Sequence, residues 1–185
     1  IRICLVGSEM CIRDRNDRTR IVWLETPTNP LLRVSDIAAI AGLLDGHPAR
    51  LAVDNTFATP ALQNPLKEGA DIVMHSVTKY LGGHSDVVMG ALMTKDAAVD
   101  AELRTLQNNV GAIPGPMDCF LVLRGIKTLG IRVRQHCANG RAVAEWLQAH
   151  PRVGRVYWPG FSSFPNHTVA ARQMQDFGGM ISFTL

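Results

Sequence analysis

An α/β fold is predicted for this chain: a mostly parallel sheet covered by helices, a long linking helix, and the start of a smaller α+β C-terminal domain. Three features predict it. Short apolar runs at 21–25, 51–53 and 71–75 have the length and bounding residues of buried strands. A segment with helical spacing separates the first two runs. A long stretch of three- and four-residue apolar spacing then occupies the middle of the chain.

The elements follow in order. The run at 21–25 ends in TPTNP, a proline-bounded loop. Ser35 or Asp36 can cap a helix whose apolar face is Ile37, Ile40, Ala41 and Leu44, and Gly46 and Pro48 stop it. Leu51, Ala52 and Val53 form the next strand, ending in Asp54-Asn55-Thr56. A turn-rich region around Pro60 and Pro65 leads to the strand at 71–75, a lysine-bearing loop, and a further apolar strand from Val87 to Met93. Asp96 or Asp100 opens a helix toward Asn109, broken by GAIPGP at 111–116. Val122, Ile126, Leu129 and Val133 mark one face of a long helix, continued by Val143, Trp146 and Leu147. VGRVYWPG reads as a strand and turn, residues 167–176 as a polar helix, and GGMISFTL as a strand that the chain leaves unfinished. Trp146 and Trp158 are expected in the core, and Met117, Met174 and Met180 in packing roles.

Composition narrows the function classes. The 185 residues are 46% hydrophobic and 19% charged, as in a globular protein able to bury a core. A net charge of +3, scattered along the chain, does not call for nucleic acid. The densest basic stretch (Arg124, Lys127, Arg132, Arg134, His136, Arg141) reads as a solvated or subunit-facing helix side. No run has the length of a membrane span. The four cysteines lack zinc or secreted spacing, and Cys119 and Cys137 are expected reduced in a cytoplasmic setting. Residues 1–15, which contain Cys4 and Cys11, resemble a translated library adapter and are set aside from the fold.

The chemistry concentrates at two strand ends. Lys79 follows an apolar strand, with Ser76 and Thr78 just before it and Gly82-Gly83 just after. Strand ends form the ligand-binding rim of α/β sheets. Hydroxyls and backbone N–H groups there can hold phosphate, and an amine can condense with a carbonyl. Asp54 is a carboxylate at the end of a buried run, where it needs a cation or donors. Pyridoxal 5'-phosphate (PLP) meets all three demands: an aldehyde for Lys79, a phosphate for Ser76 and Thr78, and a protonated ring nitrogen for Asp54. Competing readings are weaker. Consecutive His84, Ser85 and Asp86 point to alternate sides and cannot converge as a triad. His75, His84 and Asp86 match no metal-ligand spacing, and Gly-Gly lacks the fuller nucleotide fingerprint.

TPTNP at 26–30, VDNTFATPALQNPL at 53–66, HSVTKYLGGHSDVVMG at 75–90 and MDCFLVLRGIKTL at 117–129 closely resemble the Cys/Met-metabolism (trans-sulfuration) family of PLP enzymes, from about residue 20 to 185. The resemblance implies the large domain of the type I PLP-transferase fold over 16–135, and a linking helix with an incomplete C-terminal domain over 136–185. It implies that Lys79 bonds the cofactor aldehyde, Asp54 pairs with the ring nitrogen, and Ser76 and Thr78 hold phosphate. Thr56 would lie near the ring and Asn29 near its phenolic oxygen. The implied activity is γ-carbon chemistry on amino acids derived from homoserine or homocysteine, of cystathionine γ-synthase or γ-lyase type. An O-acylhomoserine sulfhydrylase, a methionine γ-lyase and an aminotransferase of the same broad fold are the alternatives. Also implied are an amino-acid substrate, a homotetramer and a cytoplasmic location, without metal, nucleic acid or membrane. The family's glycine-rich phosphate loop, stacking tyrosine, Tyr-x-Arg pair and substrate-gripping arginine are not found. The chain is therefore expected to be an internal stretch of a longer enzyme, and inactivity of that stretch alone is a further alternative.

Overall fold

A computed structural model describes residues 15–185 together with the backbone of a short strand, β1 (Arg2–Cys4). Four further strands complete the main sheet: β2 (Ile21–Glu25), β3 (Arg50–Asp54), β4 (Ile72–Ser76) and β5 (Gly90–Thr94). Their order is β1-β2-β3-β4-β5; the first three pairings are parallel and the last is antiparallel.

Alternation along the strands dresses both faces. Val22, Leu24, Leu51, Val53 and Val73 pack with Ile37 and Ile40 of α1 (Ile37–Leu43) and with its C-cap Leu44. Ala52 and Ile72 meet Val99 and Leu103 of α3 (Ala97–Val110) on the opposite face. Full burial of each large aliphatic side chain contributes roughly 1.5–3 kcal/mol relative to exposure. Asp36 caps α1, its carboxylate accepting the Ala39 N–H, and Asp96 caps α3 by accepting from Ala98 and Val99. Gly111 ends α3 in the left-handed conformation. The turn-rich region between β3 and β4 holds a one-turn helix, α2 (Thr59–Leu62), and a 3-10 turn at Pro65–Lys67.

Several expectations are corrected. Within residues 1–15, expected to stand apart from the fold, Arg2–Cys4 pairs in parallel with Val22–Leu24 as an edge strand, and residues 5–14 lie outside the described residues. An open sheet edge accepts any extended segment through its backbone, whatever its side chains. The apolar strand expected from Val87 begins only at Gly90, because the Thr78 hydroxyl, not a ladder carbonyl, takes the Met89 N–H at 3.0 Å. The single helix through 122–133 is two, α4 (Pro116–Ile126) and α5 (Leu129–Ala149). The apolar period survives the break because Val122, Leu129, Val133 and Cys137 all enter one cluster with Leu62, Val77, Leu81 and Val87. Trp158 and Leu147 are buried as expected, whereas Trp146 is 62% exposed and Val143 faces solvent, with Ala144 buried instead. Met174 is buried, but Met117 and Met180 are not.

Beyond α5, β6 (Val156–Tyr157) and β7 (Ser182–Phe183) form an antiparallel pair, and α6 (His167–Gln173) packs back toward the start of α1. Arg172 pairs with Asp36, Gln173 donates to the Ser35 carbonyl at 2.8 Å, and Asn166 donates to the Val34 carbonyl at 2.9 Å.

Candidate active site

Parallel pairing of β3 with β4 brings both carboxyl ends to one rim of the sheet, with Asp54 opposite Met74. From there a chain of hydrogen bonds runs toward the lysine. Asp54 Oδ1 accepts from the Thr56 N–H at 3.0 Å and from its hydroxyl at 2.6 Å. Thr56 Oγ1 accepts from the Ser76 N–H at 2.8 Å, and the Lys79 N–H donates to the Ser76 carbonyl at 3.1 Å. One threonine thus links the carboxylate of one strand to the loop that carries the amine of the next. Asp54 is half-buried, not buried as its apolar run suggested, since the strand ends at the rim.

Lys79 lies on a cavity of about 900 Å³ with Asn29, Phe57, Thr78, Tyr80 and Arg132. Asp54, Thr56 and Ser76 are not among its lining residues and stand in the hydrogen-bonded network beside it. The Thr78 hydroxyl donates to the Met89 carbonyl at 3.3 Å while accepting from the Met89 N–H. A phosphate oxygen would have to compete for that proton, and the 3.3 Å bond is the weaker of the two. Asn29 is exposed in the TPTNP loop, where its N–H donates to Glu25 Oε1 at 3.0 Å. The Thr26–Pro27 and Asn29–Pro30 peptide bonds of this loop are cis.

Four further groups stand at or beside the site: Glu25, His75, Tyr80 and Arg132. Glu25 ends β2 directly opposite Asp54. Burial pushes its carboxyl above the usual glutamate range, Asn29 pulls it back, and the charge of Asp54 raises it further. The strand-end logic that selected Asp54 also fits Glu25. His75, between Met74 and Ser76, is buried with Nδ1 unpartnered; burial lowers its pKa and Asp54 partly opposes this. Burial raises the Tyr80 phenol. No sequence signal separates Arg132 from the basic stretch around it.

The donor set fits PLP. An amine opens onto a cavity of small-molecule size, a carboxylate occupies the adjacent strand end, and hydroxyl and N–H groups surround the loop. The family model described as Cys/Met metabolism PLP-dependent enzyme matches residues 8–185. The chain belongs to that family. It is 58% identical over 165 residues to cystathionine gamma-synthase of Mycobacterium tuberculosis H37Rv, covering 89% of this chain and 42% of the relative. It is 55% identical over 167 residues to cystathionine gamma-lyase of Dictyostelium discoideum, covering 90% and 43%. The crystal structure of metB from Corynebacterium glutamicum superposes with a TM-score of 0.94 at 49% identity, over 97% of this chain and 46% of that one. The chain therefore spans less than half the length of these relatives.

Proposed function

We propose that this chain carries part of the active site of a PLP-dependent trans-sulfuration enzyme acting at the γ-carbon of homoserine- or homocysteine-derived amino acids. The observation that carries this reading is Lys79 on its cavity, linked through Ser76 and Thr56 to Asp54 on the neighbouring strand end. Bound there, PLP supplies an electron sink for the charge left when the substrate Cα loses a proton.

The chain's own residues do the rest. Lys79 would hold the cofactor through its ε-amine, and that amine, once free, would take the Cα proton as general base. The same amine would then shuttle protons, which would open the way for a γ-substituent to depart. Asp54 would keep the ring nitrogen protonated, and Thr56 fixes the carboxylate by donating two hydrogen bonds to one oxygen. Ser76 and Thr78 would hold the phosphate, the Thr78 hydroxyl releasing the Met89 carbonyl to do so, and Asn29 would sit on the ring's side of the cavity. The substrate is a small amino acid, the working assembly a homotetramer, and the location cytoplasmic. Among the described residues, no helix is long and apolar enough to cross a membrane.

Identity does not choose between making and cleaving cystathionine, since the synthase and lyase relatives match at 58% and 55%. Product analysis with PLP chooses. Cystathionine formed from O-succinylhomoserine and cysteine marks a synthase, and cystathionine cleaved at its γ-carbon marks a lyase. Turnover that continues at the wild-type rate in Lys79→Ala contradicts the reading.

A further inference from the structure

Arg132, a cation of the basic stretch, is held by three hydrogen bonds and does not behave as a solvated side chain. Its guanidinium donates from Nη1 to the Tyr80 carbonyl at 2.8 Å, from Nη2 to the Gly125 carbonyl at 3.0 Å, and from Nε to Thr128 Oγ1 at 3.0 Å. The Thr128 hydroxyl in turn donates to the Gly125 carbonyl at 3.1 Å. Gly125 and Thr128 flank the break between α4 and α5, and Tyr80 is the residue after Lys79. The fork geometry of a guanidinium suits this three-way grip, and a lysine ammonium cannot reproduce it.

Close packing accompanies the grip. A Cβ on Gly125 would lie 2.2 Å from the Gly82 carbonyl oxygen, so helix and lysine loop touch backbone to backbone. A Cβ on Gly83 would lie 2.1 Å from Arg132 Nη1, so the loop glycine leaves room for the guanidinium. The loop also closes on itself, Gly82 N–H to the Val77 carbonyl and Gly83 N–H to the Lys79 carbonyl, both at 2.8 Å.

We infer that Arg132 is a positioning residue: it clamps the lysine loop to the α4–α5 corner and so fixes where the Lys79 amine enters the cavity. The importance of that placement rests on the function proposed above, but the clamp itself can be tested without cofactor. Amide hydrogen exchange of the full chain at Gly82 and Gly83 is the readout, with the β2 and β3 amides as reference. Arg132→Met is expected to speed exchange at the two glycines on the order of tenfold while leaving the reference amides unchanged. Arg132→Lys and Thr128→Val, milder changes that keep the variant set informative if Arg132→Met folds poorly, are expected to speed it less. In parallel, competitive acetylation of the cofactor-free chain is expected to shift the relative reactivity of Lys79 and leave that of Lys67 and Lys95 unchanged. Unchanged exchange at the loop in all three variants, or a rise spread equally over the sheet, overturns the inference. Failure of the chain to take up PLP would instead strike the functional reading and leave the exchange result standing.

Discussion

Thr56 gives its hydroxyl proton to Asp54 and accepts the N–H of Ser76, so a single oxygen serves two strands. Thr56→Val keeps the shape and removes both bonds, leaving one donor orphaned. The expected cost is about 1–3 kcal/mol in urea unfolding, together with weaker PLP uptake, whereas Thr56→Ser is expected to keep most of both. Glu25 gives a pH prediction. Its carboxyl is raised in the folded state, so in the window above the ordinary glutamate range the native chain binds more protons than the unfolded one. Its contribution to stability is therefore lost as pH rises through that window. Glu25→Gln, which still accepts from Asn29, is expected to flatten this slope in unfolding curves taken across the mildly acidic range. The placement of Asp54 at a strand end and of Lys79 in the loop after one was readable because each apolar run gives way to polar residues there. The grip of Thr78 on Met89 was not readable, since it depends on two residues eleven apart meeting across a loop.

Helix α4 and the lysine loop meet where neither has a side chain. Gly125→Ala puts a methyl 2.2 Å from the Gly82 carbonyl, and the backbone must shift. Overpacking of this kind is expected to cost about 1–3 kcal/mol. Gly42→Ala in α1, where a Cβ would meet nothing within 4 Å, is expected to stabilise by about 0.4–1 kcal/mol. The pair, compared by chemical denaturation, separates contact from helix propensity. Strand β2 and the caps of α1 and α3 were legible because short-range patterning determines them. The break after Ile126 was not, because an apolar period reports which face is buried and is silent on whether one helix or two present it. The antiparallel direction of β5 is likewise set by the loop joining it to β4, not by its own residues.

Across the whole molecule, Trp158 anchors the C-terminal segment. Its ring meets Phe161 and Phe177 edge-on, its N–H donates to the Gly178 carbonyl at 3.3 Å, and Arg141 lies 5.3 Å from the ring centroid. Arg141 also pairs with Asp176 at 3.5 Å, holding α5 to the turn before β7. Trp158→Ala is expected to cost about 3–5 kcal/mol in denaturant unfolding.

The parallel strands β2, β3 and β4 bring Glu25, Asp54 and Ser76 to one rim, and Lys79 is the amine proposed to meet PLP there. Borohydride reduction of the chain after incubation with PLP, followed by peptide mapping, tests it most directly. A pyridoxyl adduct is expected on Lys79, abolished in Lys79→Ala and weakened in Asp54→Asn. An adduct distributed evenly over Lys67, Lys79, Lys95 and Lys127, or one retained at full yield elsewhere in Lys79→Ala, would contradict it.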